Sequence, residues 1–238
     1  DDIESFPRRI IPNNCKVLKL IVPMDAGLSM IASYIYILSQ QVDNGQLHCH
    51  LAASQCKVNN LSIPKMEKLA YRLSVALLWK FINAADALED YNYEIIMLSD
   101  SLISSFIFSS VRLSCVLSRN VKNLVHQTCT DILNKYQNVT RIRAGFLSGS
   151  LNPADMSTKM HDNLIEKING SFYRNGPVLF QDLSFPQEGN VFATWEKING
   201  EISIQDDTND LFCFNSDLAV EMELHVMFPN ALPMHQGE

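Results

Sequence analysis

The sequence predicts an α/β fold: a mixed five-stranded sheet flanked by helices, followed by a small β-rich C-terminal appendage. Three observations carry this prediction. Short runs rich in branched apolar residues alternate with longer stretches whose apolar residues recur every three to four positions, the patterns of strands and amphipathic helices. The first three strand-like runs are joined by turns alone, whereas the later ones are separated by helical stretches. Past Gly176-Pro177 the helical periodicity gives way to short strand-like segments.

Residues 1–15 read as a polar lead-in. Residues 16–24 (KVLKLIVPM) form a first strand that ends at Asp25-Ala26-Gly27, so Asp25 tops a central strand. Residues 30–39 (MIASYIYILS) form a second, aromatic strand. The Asp43-Asn44-Gly45 turn returns the chain into a third strand, 46–57, completing an antiparallel meander. Ser62-Ile63-Pro64 opens a helix, because Ser caps well and Pro is tolerated in the first turn. Its apolar stripe runs through Met66, Leu69, Ala70, Leu73, Ala76 and Leu77 to about Asn83, with Glu67 beside the stripe. Residues 93–99 (YEIIMLS) form a strand that stops at Asp100-Ser101. A short helix is expected over 102–108, a long one over 115–136, and a strand over 139–147. The polar loop 148–150 then leads to Asn152-Pro153-Ala154-Asp155, where a last helix begins. These elements place a main domain at 16–180 and a β-rich extension at 181–238. The extension contains a hairpin over 191–204 turning at Asn199-Gly200 and a partly strand-like stretch over 211–228.

The chain has 238 residues, 47% of them hydrophobic and 19% charged, as in a globular protein. No run approaches a membrane span, and the start lacks the order of a signal peptide, so an intracellular location is expected. The absent initiator Met is read as the mark of a fragment or processed product. Six cysteines without a CxxC pair predict reduced thiols. His48-Cys49-His50 with Cys56 does not read as a zinc site, since strand alternation would throw Cys49 to the face opposite the two His. Three Asn-x-Ser/Thr sequons, without a secretory signal, are not expected to be glycosylated. The formal charge of −7 gives the chain no basic face in aggregate, although gripping phosphate backbones usually needs one.

Four acids stand out. Asp25 and Asp100 end strands, Asp155 starts a helix, and Glu67 lies one turn inside another. If they converge they repel one another, and bound cations are what would make the arrangement tolerable. Oxygen-only ligands select hard ions such as Mg²⁺ or Mn²⁺. Taken singly, each acid also has a plain structural reading, as a strand-end turn residue, a first-turn acid or a helix cap.

In order, Asp25-Ala26-Gly27 with its tyrosine-rich following strand, 62–69 (SIPKMEKL), 98–101 (LSDS) and 151–157 (LNPADMS) resemble the ribonuclease H region of BEL/Pao long-terminal-repeat retroelements. Phe6-Pro7-Arg8-Arg9 resembles that family's lead-in, and Asn175-Gly176-Pro177 the segment after its last helix, so the resemblance spans residues 6 to 186. It implies a ribonuclease H-like fold in which Asp25, Glu67, Asp100 and Asp155 are metal ligands for two Mg²⁺ or Mn²⁺ ions. The implied reaction is two-metal hydrolysis of the RNA strand of an RNA–DNA hybrid, leaving 5′-phosphate and 3′-hydroxyl ends. Gly27, Ser101 and Asn152, beside the acids, are expected to contact substrate. The loop before Asp155 lacks the His that many ribonucleases H carry there, which implies slow turnover. No basic cluster resembles the substrate-binding protrusion of the cellular enzymes, so an adjacent reverse transcriptase domain, or another protein partner, would supply hybrid affinity.

Related folds fit less well. A proofreading exonuclease needs Asp-x-Glu in its first strand, and a retroviral-type integrase has no acid in its first helix. Arg141 and Arg143 share one face of a strand, where they would meet either a phosphate backbone or solvent. The alternative from another class is a domesticated or inactive ribonuclease H-like module that serves as a protein-interaction subunit.

Overall fold

The computed structural model describes residues 11–101, 107–108, 116–159 and 164–206. Three long strands open it, β1 (Cys15–Ala26), β2 (Met30–Gln41) and β3 (Leu47–Val58), followed by helix α1 (Ile63–Ala84). Strand β4 (Tyr93–Ser99), helix α2 (Val116–Lys135) and strand β5 (Val139–Phe146) come next. Three short helices, α3 (Asp155–Thr158), α4 (Leu164–Asn169) and α5 (Ser171–Asn175), precede the hairpin of β6 (Val191–Ile198) and β7 (Glu201–Asp206).

All seven strands belong to one sheet in the order β3-β2-β1-β4-β5-β6-β7. The β1–β2 and β2–β3 pairs are antiparallel, as the meander predicts. Pairs β1–β4 and β4–β5 are parallel, and β5–β6 and β6–β7 return to antiparallel. The architecture is therefore a mixed sheet flanked by helices, with seven strands where the sequence reading counts five. The added two are the hairpin assigned to the appendage: β6 pairs along β5, and Trp195 is wholly buried. Strands on either side of the expected break near residue 180 are thus hydrogen-bonded in one sheet. The turn at Asn199-Gly200 was legible because both positions need positive φ; the edge it would pair with was not. The lead-in through residue 10, most of the short helix over 102–108, and the stretch 211–228 lie outside the described residues.

Strands β1, β2 and β4 read as nearly unbroken apolar runs because both faces of the sheet centre are covered. Helix α1 packs on β1 and β2, where Ser74 Oγ approaches Met24 Sδ at 3.2 Å. On the opposite face Tyr34, Tyr36, Leu38, Cys49, Ile96 and Leu98 pack with Phe180 and Phe185. Tyr36 donates its hydroxyl to the Tyr173 carbonyl at 2.6 Å, satisfying the polar end of a buried ring.

Near the start of the parallel strands lies a buried ionic network. Lys19 on β1 stands in register with Glu94 on β4, and their side chains pair at 3.3 Å. Arg143 binds both Glu94 oxygens at 2.9 and 3.0 Å, and Arg141 donates Nε–H to one of them at 2.7 Å. Arg143 is thereby buried against Glu94, whereas the Arg141 side chain, 44% exposed, gives it only Nε. Lys19 also donates to the carbonyls of Leu183 and Phe185 at 2.8 and 2.7 Å, and Arg143 to that of Pro186 at 3.0 Å. These bonds strap the segment before β6 across the sheet. Three cations hold the Glu94 carboxylate below its ordinary range against the opposing effect of burial.

Among the described residues Cys15, Cys49, Cys56 and Cys129 are free thiols, with Cys56 exposed and the other three buried. Cys49 is buried in the core, while the His48 and His50 rings stack on the other face, 6.0 Å between centroids.

Candidate metal centre

Parallel pairing brings the first two acids together. Met24 of β1 stands in register with Ser99 of β4, so Asp25 and Asp100 are the next residues on adjacent parallel strands, roughly 5 Å apart. The apolar stretches that drive both strands into the core end there, leaving the two carboxyl groups at the rim of the sheet. This is the edge where open α/β sheets bear their ligands.

The third acid arrives by a long-range tether. Asn152, almost wholly buried, donates Nδ2–H to the Met24 carbonyl at 2.8 Å and accepts the Ala154 N–H at 3.1 Å. That clamp sets the first turn of α3 beside the end of β1. Asp25, Asp100 and Asp155 then offer carboxylate oxygens that all lie within 4.8 Å of one another. Thr158, one turn along α3, donates its hydroxyl to Asp25 Oδ2, and Lys159 pairs with Asp155 Oδ1.

Glu67 comes from the other layer. Its helix starts at Ser62, as expected, with Pro in the first turn, although the Ser62 hydroxyl makes no capping bond. The Glu67 side chain is 8% exposed. Burial first, then the charges of Asp25 and Asp100, raise its carboxyl to about 8, against an opposing hydrogen bond from Ser101. Burial and the charge of Asp25 likewise push Asp100 upward. Glu67 thus feels the other acids electrostatically while standing outside the tight cluster of three.

Several observations test whether these residues fit a hard divalent cation. The donors are all carboxylate oxygens, the set such ions prefer. Glu67 Oε2 is shut from solvent and has no hydrogen-bond partner among the described residues. Gly149 leaves open ground over Asp100: a Cβ there would lie 2.8 Å from Asp100 Oδ2. The residues fit the ion.

The expected substrate contacts divide. Ser101 is half-buried next to Asp100 and bonds Glu67. Asn152 has both ends of its amide engaged inside the protein. Gly27 lies so close to the Thr158 backbone that a side chain would collide with it. Sequence reasoning missed Thr158, Lys159 and Gly149. The spacing Asp155-x-x-Thr158-Lys159, which puts Thr158 and Lys159 three and four residues beyond the acid, was the available signal for the first two.

The site is that of a mixed α/β sheet with acids at the ends of its first and fourth strands, in its first long helix and in a closing turn. Residues 2–101 match the family model described as the Pao retrotransposon-like RNaseH-like domain, which bears out the resemblance read from the residues. The match contains Asp25, Glu67 and Asp100; Asp155 lies beyond it. Among solved structures the chain is similar to ribonuclease H1 from the halophilic archaeon Halobacterium salinarum NRC-1, at 8% identity and a TM-score of 0.35, over 58% of this chain and 90% of that one. It is also similar to the N-terminal ribonuclease H domain of Rv2228c from Mycobacterium tuberculosis, at 11% identity and a TM-score of 0.36, over 58% of this chain and 92% of that one. No curated protein matches. No described helix is long and apolar enough to cross a membrane.

Proposed function

We propose that this chain is a metal-dependent ribonuclease H that cuts the RNA strand of RNA–DNA hybrids inside the cell, as one module of a retroelement reverse transcriptase polyprotein. The observation that carries this reading is the convergence of Asp25, Asp100 and Asp155 within 4.8 Å, with the buried Glu67 coupled to two of them. Bound Mg²⁺ or Mn²⁺, two ions in this reading, would supply an activated water and charge stabilisation at the leaving oxygen. Asp25, Asp100 and Asp155 would hold the ions, and Glu67, through its unpartnered oxygen, would complete the ligand set. Thr158 and Asn152 orient the first strand end, the one by a bond to Asp25 and the other by a bond to the Met24 carbonyl. Ser101, half-buried beside Asp100, is placed to meet the scissile ribose, whose 2′-hydroxyl is the only group that tells RNA from DNA at the site. With Arg143 buried against Glu94 and Arg141 bonded to it through Nε, most of the grip on the hybrid falls to the adjoining polymerase domain or another protein partner.

The test is cleavage of an end-labelled RNA–DNA hybrid by the purified chain in Mg²⁺ or Mn²⁺, beside Asp100→Asn. The wild type should release fragments with 5′-phosphate and 3′-hydroxyl ends, and the variant should fall to background. Equal rates for the two, repeated with the upstream polymerase domain attached, would reject the enzyme and leave a ribonuclease H-like interaction module.

A further inference from the structure

One cation already sits in the acidic centre. Lys159 lies one turn beyond Asp155, at the end of the four-residue helix α3, and its ammonium is held on Asp155 Oδ1. The Lys159 side chain is 61% exposed while Asp155 is 20% exposed, so solvent surrounds the lysine stem. Asp25, by contrast, accepts from a neutral donor, the Thr158 hydroxyl, at Oδ2. The site therefore contains both an internal counter-cation and a ligand oxygen that it masks. The shut-in Glu67 Oε2 has no such partner among the described residues.

We propose that Lys159 is a tethered counter-cation of this centre, which steadies the clustered acids before metal arrives and must swing off Asp155 when a divalent ion binds. The inference rests on the metal-site reading given above. Two consequences of opposite sign follow. Without metal, removing the ammonium leaves three carboxylates facing one another and lowers stability. With metal, the same change removes a competitor and tightens binding. An exposed ion pair contributes about 0.2–1 kcal/mol, so the divalent ion should bind up to about fivefold more tightly once the lysine is gone. A residue whose role is only to hold α3 in place would weaken both properties together.

The experiment follows the thermal unfolding midpoint of the full chain, and Mn²⁺ binding by calorimetry, in the wild type, Lys159→Met, Lys159→Arg and Asp100→Asn. Lys159→Met should unfold earlier in EDTA yet bind Mn²⁺ more tightly than the wild type. Lys159→Arg, which keeps the charge, should stay near the wild type on both readings. Equal or weaker Mn²⁺ binding by Lys159→Met, with the wild type binding and Asp100→Asn failing to bind, overturns the role of Lys159 and leaves the metal centre standing. Failure of the wild type and Lys159→Met alike to bind Mn²⁺ overturns the metal centre itself, and this inference with it.

Discussion

Replacing Glu67 with Gln should change how stability depends on pH far more than it changes stability at low pH. The carboxyl rises from an ordinary 4.5 to about 8 in the fold, so folding favours its protonated form. A group raised in this way contributes stability that is fully present below pH 4.5 and is lost as pH climbs through 8. Each pH unit inside that window is worth roughly 1.4 kcal/mol. From pH 5 to pH 8 the metal-free wild type should therefore lose roughly 4 kcal/mol relative to Glu67→Gln, a large share of an ordinary domain's 5–15 kcal/mol. Gln has nearly the shape of the protonated acid and does not ionise, so the two proteins should converge near pH 4.5. Urea unfolding in EDTA at pH 5, 6, 7 and 8 gives the difference directly. Excess Mg²⁺ at pH 8 should narrow it, because a bound cation offsets the charge in the wild type and finds a weaker ligand set in the variant. A wild-type-minus-variant difference that is flat across pH would refute the idea that Glu67 is buried against other acids.

Two further changes probe the sheet and the site separately. Glu94→Gln removes the shared anion of Lys19, Arg141 and Arg143 and leaves two buried cations without it. It should cost about 3–5 kcal/mol in denaturant unfolding, and Mn²⁺ affinity measured below the unfolding midpoint should stay unchanged. Thr158→Val removes the donor on Asp25 Oδ2 and should weaken Mn²⁺ binding by about 10–100-fold. Thr158→Ser should restore binding, and a serine variant as poor as the valine one would show that shape rather than the hydroxyl matters.

Much of this centre was legible because local rules decided it. Asp25 and Asp100 could be placed at strand ends because an apolar run of strand length stops at each, and Glu67 because one helical turn fixes its side of α1. What could not be read was decided by contacts far apart in sequence. Asn152 looked like a substrate contact, yet its amide reaches back to Met24, 128 residues earlier. Gly27 was expected to contact substrate, yet the Thr158 backbone lies where a side chain at Gly27 would be. The hairpin of β6 and β7 was clear from Asn199-Gly200 as a hairpin, but a turn carries no information about which outer edge it joins. Arg141 and Arg143 showed their shared face by alternation, while their partner Glu94 depended on strand order.

That partner choice explains how an acidic chain can hold an acidic centre. Lys19 and Asp25 are separated by six residues of β1, roughly 20 Å, and each end of the strand has its own charge arrangement. At the Lys19 end three cations surround one carboxylate, and Lys19 and Arg143 also donate to the backbone carbonyls of Leu183, Phe185 and Pro186. At the Asp25 end three clustered acids, with Glu67 nearby, have one paired lysine among the described residues, and a buried Glu67 oxygen has no partner there. Buried charge is costly unless it is paired, and the first cluster gives every charged side chain an opposite partner, leaving Arg143 Nε as an unpartnered donor among the described residues. The second does not. The imbalance is local, so the formal charge of −7 is a poor guide to it. A protein that keeps one buried ionic cluster closed and leaves the other short of positive charge has its free valence where an incoming cation would be bound.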